Sequence, residues 1–319
     1  MPVEPGTPRA DRRSVRAVAV GPREQRGFPV WHAVIERGES LMDRAAYAER
    51  IAEVLSGTHG AKVGYPIGLC TVEVLRTAPV GSGLIRITFG GEELDGFHSY
   101  VPDEHVRLVF PDEEGVLHLP RKDGLVLHWG TPRPVTRDYT VRRFDAVSRE
   151  MDIDVAVHPG GLASEWALRT EPGARVHIAG PVGGLVVPKT YDKYLLAGDI
   201  TALPAIARWL EWLPREASGW AFIEVAHRSE QVPLEAPDDL EVRWVHRGHS
   251  GPGADGTFEK LVRSVEIESD QRVYIWIAGE SGAIRPLRRW VRIELGLDPQ
   301  DCLITGYWRH GVAGNDQDE

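Results

Sequence analysis

Tyr194-Leu195-Leu196-Ala197-Gly198-Asp199-Ile200-Thr201-Ala202-Leu203-Pro204 decides how the second half of the chain is built. An apolar run leads into Gly198-Asp199 and then into a helical pattern over 201–212, the order of a buried strand followed directly by a helix. The unit recurs downstream, with short apolar strands expected at 220–226, 242–245, 273–278 and 303–305 and further helices at 258–264 and 283–295. Strands alternating with helices imply a parallel sheet covered on both faces. Such a sheet binds ligands at the carboxyl ends of its strands.

Upstream of Pro188 the rhythm is different. Alternating runs at 69–75, 83–89, 105–110, 138–144 and 151–158 are separated by turns such as Gly81-Ser82-Gly83 and Pro111-Asp112, the texture of a small antiparallel barrel. The expected architecture is therefore α+β in two domains. An antiparallel six-stranded β-barrel occupies 66–189 and an α/β parallel-sheet domain 190–313, with a tail at 314–319. Residues 1–65 form an N-terminal extension: a mobile arm rich in Pro, Gly and Arg through about residue 30, then an amphipathic helix over 44–55 carrying Ala46, Ile51, Val54 and Leu55.

A chain of 319 residues with 42% hydrophobic and 26% charged residues can bury a full core. The N-terminal MPVEPGTPRADRRS lacks the apolar stretch of a secretory signal, and no run approaches the roughly 18 apolar residues of a membrane span. A cytoplasmic location without integral membrane contact is expected. The net charge of −10 weighs against non-specific binding to nucleic acid. Cys70 and Cys302 form no CxxC, and His246 and His249 have no third ligand in view, so neither a disulfide scaffold nor a metal site is expected.

Two motifs carry chemistry. In Arg137-Asp138-Tyr139-Thr140-Val141-Arg142, strand alternation puts Arg137, Tyr139 and Val141 on one face and Asp138, Thr140 and Arg142 on the other. An aromatic ring, a hydroxyl and two guanidinium groups suit a flavin dinucleotide, which needs a stacking plane, a hydrogen-bond partner and cations for its pyrophosphate. Taken alone the hexapeptide is equally at home on an exposed strand. It is followed, however, by His158-Pro159-Gly160-Gly161-Leu162-Ala163-Ser164-Glu165-Trp166-Ala167, a glycine turn that opens a helix directly after an apolar strand. Small residues there let backbone N–H groups approach a phosphate, and the helix dipole favours the anion.

These motifs are joined, in order, by Gly180-Pro181-Val182-Gly183-Gly184, by the 197–204 turn, by Ala278-Gly279-Glu280 and by Gly306-Tyr307-Trp308-Arg309-His310-Gly311. Together they resemble the siderophore-interacting protein family, flavin-dependent ferric-siderophore reductases within the ferredoxin-reductase superfamily. The resemblance covers roughly residues 66–311 and implies FAD in the first domain and NADPH or NADH in the second. It implies that Arg137, Tyr139, Thr140 and Arg142 hold the flavin, Tyr139 near the isoalloxazine and Thr140 near its reactive edge. His158, Gly161, Leu162, Ala163 and Ser164 would take the pyrophosphate and adenosine side. Leu162 stands where the family places Pro, and Ile200 where it places Glu.

In the second domain Asp199 and Thr201 lie where a dinucleotide phosphate would be cradled, although the turn is not a GxGxxG and an acid near a phosphate is repulsive. Arg228 follows the second strand where an acid would greet a free ribose 2′-hydroxyl, which favours a 2′-phosphate and hence NADPH. Gly279 and Glu280 leave room for the nicotinamide. A bulky, anionic ferric siderophore calls for an open basic cleft with aromatic edges, for which Arg247, Trp308 and Arg309 are the candidates. Two other readings stay open: a flavin reductase supplying a partner redox protein, and a flavin- or siderophore-binding carrier fed by another donor such as a ferredoxin.

Overall fold

The computed structural model of the chain describes residues 44–64, 68–123, 126–181 and 183–312. The N-terminal arm and the tail at 314–319 lie outside them. Helix α1 (Arg44–Leu55) forms over the residues expected. Its Ile51 and Val54 are buried with Val63, Val101 and Val186, so the apolar stripe docks the helix on the body of the protein. Val63 belongs to β1 (Ala61–Gly64), which pairs antiparallel with the strand at Gly183–Val186.

The antiparallel half comprises β2 (Gly68–Val80), β3 (Leu84–Gly90), β4 (His105–Phe110), the hairpin β5 (Arg121–Asp123) and β6 (Val126–His128), β7 (Val135–Thr140), β8 (Arg143–Asp145), β9 (Glu150–Ala156), helix α2 (Leu162–Arg169), β10 (Arg175–Gly180) and β11 (Gly183–Val186). In place of the six barrel strands expected, seven strands make one antiparallel sheet in the order β7-β4-β10-β2-β3-β9-β8. The run 138–144, expected as one strand, breaks after Thr140 because its backbone changes partner. Val141 N donates to Glu104 O at 2.9 Å, and Arg142 N to Asp152 O at 2.8 Å. The two halves of that run consequently stand at opposite edges of the sheet.

Along β9 the period of two puts Met151, Ile153 and Val155 into the core opposite Phe89, Ile87 and Ile85. Asp152 and Asp154 fall on the other face, where cross-strand Thr88 and Arg86 satisfy them at 2.6 Å and 2.7–2.8 Å.

The parallel half contains β12 (Lys193–Asp199), α3 (Leu203–Trp212), β13 (Ser218–Val225), β14 (Asp239–His246), α4 (Thr257–Arg263), β15 (Val273–Glu280), α5 (Ser281–Arg289) and β16 (Cys302–Trp308). Its strand order is β14-β13-β12-β15-β16, all parallel, so the chain reverses direction across the sheet between β12 and β15. Trp209, Ile206 and Leu210 of α3 cover one face with Tyr194, Tyr274 and Trp276. Phe258, Val262, Ile284 and Leu287 of α4 and α5 cover the other with Phe222, Ile275 and Ile277. The helix expected through 295 is interrupted: α5 ends at Arg289 and a π turn, Trp290–Glu294, completes it.

The halves meet through Trp276 Nε1, which donates to Asp103 Oδ2 at 3.1 Å, and through an Arg142–Glu211 ion pair. Among the described residues no helix is long and apolar enough to cross a membrane.

Candidate functional site

The carboxyl edge of the parallel sheet is organised by Asp199. Buried at the end of β12, its Oδ1 accepts the N–H and the hydroxyl of Thr201 at 2.9 and 2.6 Å. Its Oδ2 accepts Glu280 N at 2.8 Å and Trp308 Nε1 at 2.9 Å. One carboxylate therefore ties together the ends of β12, β15 and β16. Gly279, at φ 142°, is required for this: a Cβ there would sit 2.7 Å from Asp199 Oδ2. Glu280, also buried, caps α5 by accepting Ala283 N at 2.7 Å and takes His310 N at 3.1 Å.

Sequence reasoning missed a third buried acid on this edge, Glu224 of β13, which lies opposite Asp199 in the ladder and accepts Gly253 N at 3.1 Å. Burial pushes its carboxyl up to about 7, and the Asp199 charge adds to the rise. The available signal was a charged residue inside the apolar run Phe222-Ile223-Glu224-Val225.

The antiparallel half brings its two motifs against this edge. Gly83 approaches so closely that a Cβ would meet Ile200 Cδ1 at 2.3 Å, and its carbonyl accepts Val157 N at 2.9 Å, which places the start of the glycine turn beside it. On β7, Arg137 Nη1 donates to Thr136 O at 2.7 Å, and Tyr139 is partly buried against the core, its phenol pushed upward by that burial. Thr140 lies beside the phenol of Tyr307, to which the sequence reading gave no role and whose pKa is likewise raised by burial. Asp138, on the other face, is engaged by Arg107 at 2.7 and 2.8 Å. Arg142 is turned to α3, where Glu211 takes it in a two-pronged pair.

At the start of α2, Gly161 is the N-cap and, among the described residues, no side chain caps the helix. Exposed His158 packs its ring over Gly161, where a Cβ would meet Cε1 at 2.2 Å. Ser164, buried, accepts His158 N at 2.9 Å through its hydroxyl oxygen, and Ala163 is buried while Leu162 faces outward. An uncapped helix start with glycines and no acid before Glu165 suits a pyrophosphate, so these residues fit FAD.

The residue patterns of two domain families match in the same order: "Siderophore-interacting FAD-binding domain" at 73–185 and "Siderophore-interacting protein" at 191–311. The NADPH-dependent ferric-chelate reductase of Escherichia coli is 35% identical over 74% of this chain and 91% of its own. The ferric vibriobactin reductase of Vibrio cholerae is 31% identical over 75% and 89%. This chain belongs to the siderophore-interacting protein family. A crystal structure of a siderophore utilization protein from T. fusca superposes with a TM-score of 0.74 at 37% identity, covering 80% of this chain and 97% of that one.

In this siderophore-interacting protein the candidates expected to bind the acceptor lie at opposite ends of the carboxyl edge. Arg247 N donates to Val225 O, which puts it beside exposed His227 and Arg228 at the β13–β14 end. Trp308 ends β16 and Arg309 follows it, at the other end of the carboxyl edge, on the order of 19 Å away at the usual strand spacing. Among the described residues no group of three His, Cys, Asp or Glu is placed to hold a metal ion.

Proposed function

We propose that this protein is a cytoplasmic ferric-siderophore reductase that takes electrons from NADPH through FAD to a ferric siderophore and releases ferrous iron. The observation that carries the reading is that both motifs reach the carboxyl edge of the parallel sheet: Gly83, bonded to Val157 at the head of the α2 turn, packs against Ile200 after β12, and Thr140 meets Tyr307 of β16. The names of the reductases from E. coli and V. cholerae support it. When bound, FAD supplies two-electron acceptance from nicotinamide and single-electron release to iron.

The roles follow from position. The division near residue 189 separates the flavin half, its antiparallel sheet closing as a barrel through the run that contains β7 and β8, from the nicotinamide half. Arg137, Tyr139 and Thr140 hold the flavin, and His158, Gly161, Leu162, Ala163 and Ser164 take its pyrophosphate. Arg142, held by Glu211, positions the end of β7. Asp199 and Thr201 shape the turn that receives the nicotinamide dinucleotide, with Gly279 and Glu280 beside the ring. Arg228, joined by Arg247, meets the 2′-phosphate. Trp308 and Arg309 rim the open side for the chelate. Ferrous iron binds hard oxygen donors less well than ferric iron, so reduction releases it.

The test is an anaerobic assay with NADPH, a ferric catecholate and a ferrous-trapping chelator. Ferrous complex forming only with FAD-loaded protein supports the reading. Iron reduction with reduced ferredoxin but not with NADPH would keep the reductase and change its donor, an outcome the three buried carboxylates at the dinucleotide edge make worth measuring.

A further inference from the structure

A second cleft, of about 320 Å³, opens between the two halves and is lined by His98, Ser99, Arg142, Arg143, Arg208 and Glu211 among others. It is not the edge described above. Helix α3 begins beside the Asp199 turn, and Glu211 lies eight residues beyond Leu203, on the order of 12 Å down the helix axis. The antiparallel half supplies one wall, Ser99, Arg142 and Arg143, and α3 supplies the other, Arg208 and Glu211.

Three guanidinium groups meet one carboxylate in this lining, and that carboxylate is already held by Arg142. Arg208 is left without a match. Its Nη1 is buried with no hydrogen-bond acceptor, and the Ser99 hydroxyl is buried and unpartnered as well. The carboxylates that act on Arg208 are Glu104, Asp103 and, less strongly, Glu211, and Arg142 opposes them. Burial raises Asp103 and Glu104, the latter to about 8, so near neutral pH Glu104 is mostly protonated and leaves the guanidinium under-neutralised. A buried donor on a cation costs stability until an acceptor arrives, and an oxyanion is the acceptor that matches the guanidinium fork.

We propose that this cleft binds a small oxyanion bearing carboxylate or phosphate groups, clamped between Arg208 of the parallel half and Ser99 and Arg143 of the antiparallel half. The Arg143 side chain is 52% exposed, with Asp145 at 3.0 Å and the buried Asp152 carboxylate at 3.9 Å, and the outer pair with Asp145 is weak enough to be exchanged for the ligand. Because the ligand touches both halves, its binding stabilises their closed arrangement.

FAD-loaded protein is titrated by calorimetry with inorganic phosphate and, separately, with citrate. Ionic strength is fixed with sodium chloride and saturating NADP+ keeps the dinucleotide edge filled. The expected result is a saturable one-site isotherm for at least one of the two anions, with a melting temperature that rises with its concentration. Arg143→Ala weakens that binding about tenfold, as expected for one charge-assisted contact, and leaves the flavin spectrum and NADPH reduction unchanged. Arg208→Gln abolishes it. Absence of saturable binding by either anion, displacement of the anion by NADP+, or an Arg143→Ala protein that binds as tightly as the parent would each overturn the proposal. None of these outcomes depends on whether iron is reduced.

Discussion

Trp308 donates its indole N–H to Asp199 Oδ2 at 2.9 Å, so the last strand of the parallel sheet is fastened to the turn that ends its first. Trp308→Phe keeps an aromatic ring at the position, though a smaller one, and deletes the donor. A hydrogen bond to a charged group contributes about 1.5–3 kcal/mol, and the remaining donors on Asp199 hold the carboxylate in place. The variant is expected to lose about 2 kcal/mol in urea unfolding while retaining its flavin.

Glu104 gives a stability profile with a definite sign. Its carboxyl rises from an ordinary 4.5 to about 8 because it is buried, so between those values the folded protein holds a proton that the unfolded chain releases. Stability accordingly falls as pH rises through that window, with an upper scale of about 5 kcal/mol. Glu224 acts in the same direction up to about 7. Glu104→Gln is expected to reduce the slope between about pH 4.5 and 8 and to be more stable than the parent above pH 8, measured as urea midpoints from pH 5 to 9.

Gly161→Ala tests the pyrophosphate site without touching the core. A Cβ at this position would lie 2.2 Å from the His158 ring, which must move away from the α2 start. FAD affinity is expected to fall about tenfold, read as fluorescence of flavin released on dilution, with an unchanged unfolding midpoint.

Arg228→Ala tests the choice of donor. Arg228 is exposed on a 3-10 turn after β13, so its removal has little structural cost. KM for NADPH is expected to rise about tenfold with kcat and the NADH parameters nearly unchanged, as for a lost contact to the 2′-phosphate.

Local patterns carried most of the fold. Helix α1 and strand β4 fall on the residues that periodicity picks out, because their apolar spacing is self-contained. The break after Thr140 was not legible. The period of two runs on through Val141 and Arg142, and only the distant carbonyls of Glu104 and Asp152 end the strand. The site divides the same way. The α2 turn could be read from glycines next to one another in sequence. Asp199 looked like a phosphate neighbour because its donors, Glu280 and Trp308, lie far along the chain. Arg247 was grouped with Arg309 on charge and neighbouring aromatics, whereas the β13–β14 register sets it beside Val225. Tyr307 stands in a quoted motif without a role of its own, because nothing local announces that it meets Thr140.

The most direct test of the central claim is an anaerobic absorbance spectrum of the FAD-loaded protein, taken before NADPH, after NADPH, and again after a ferric catecholate. The account predicts flavin bands that bleach with NADPH and return with iron. Flavin that stays oxidised with both NADPH and NADH, or reduced flavin that ferric chelate does not reoxidise, would contradict it.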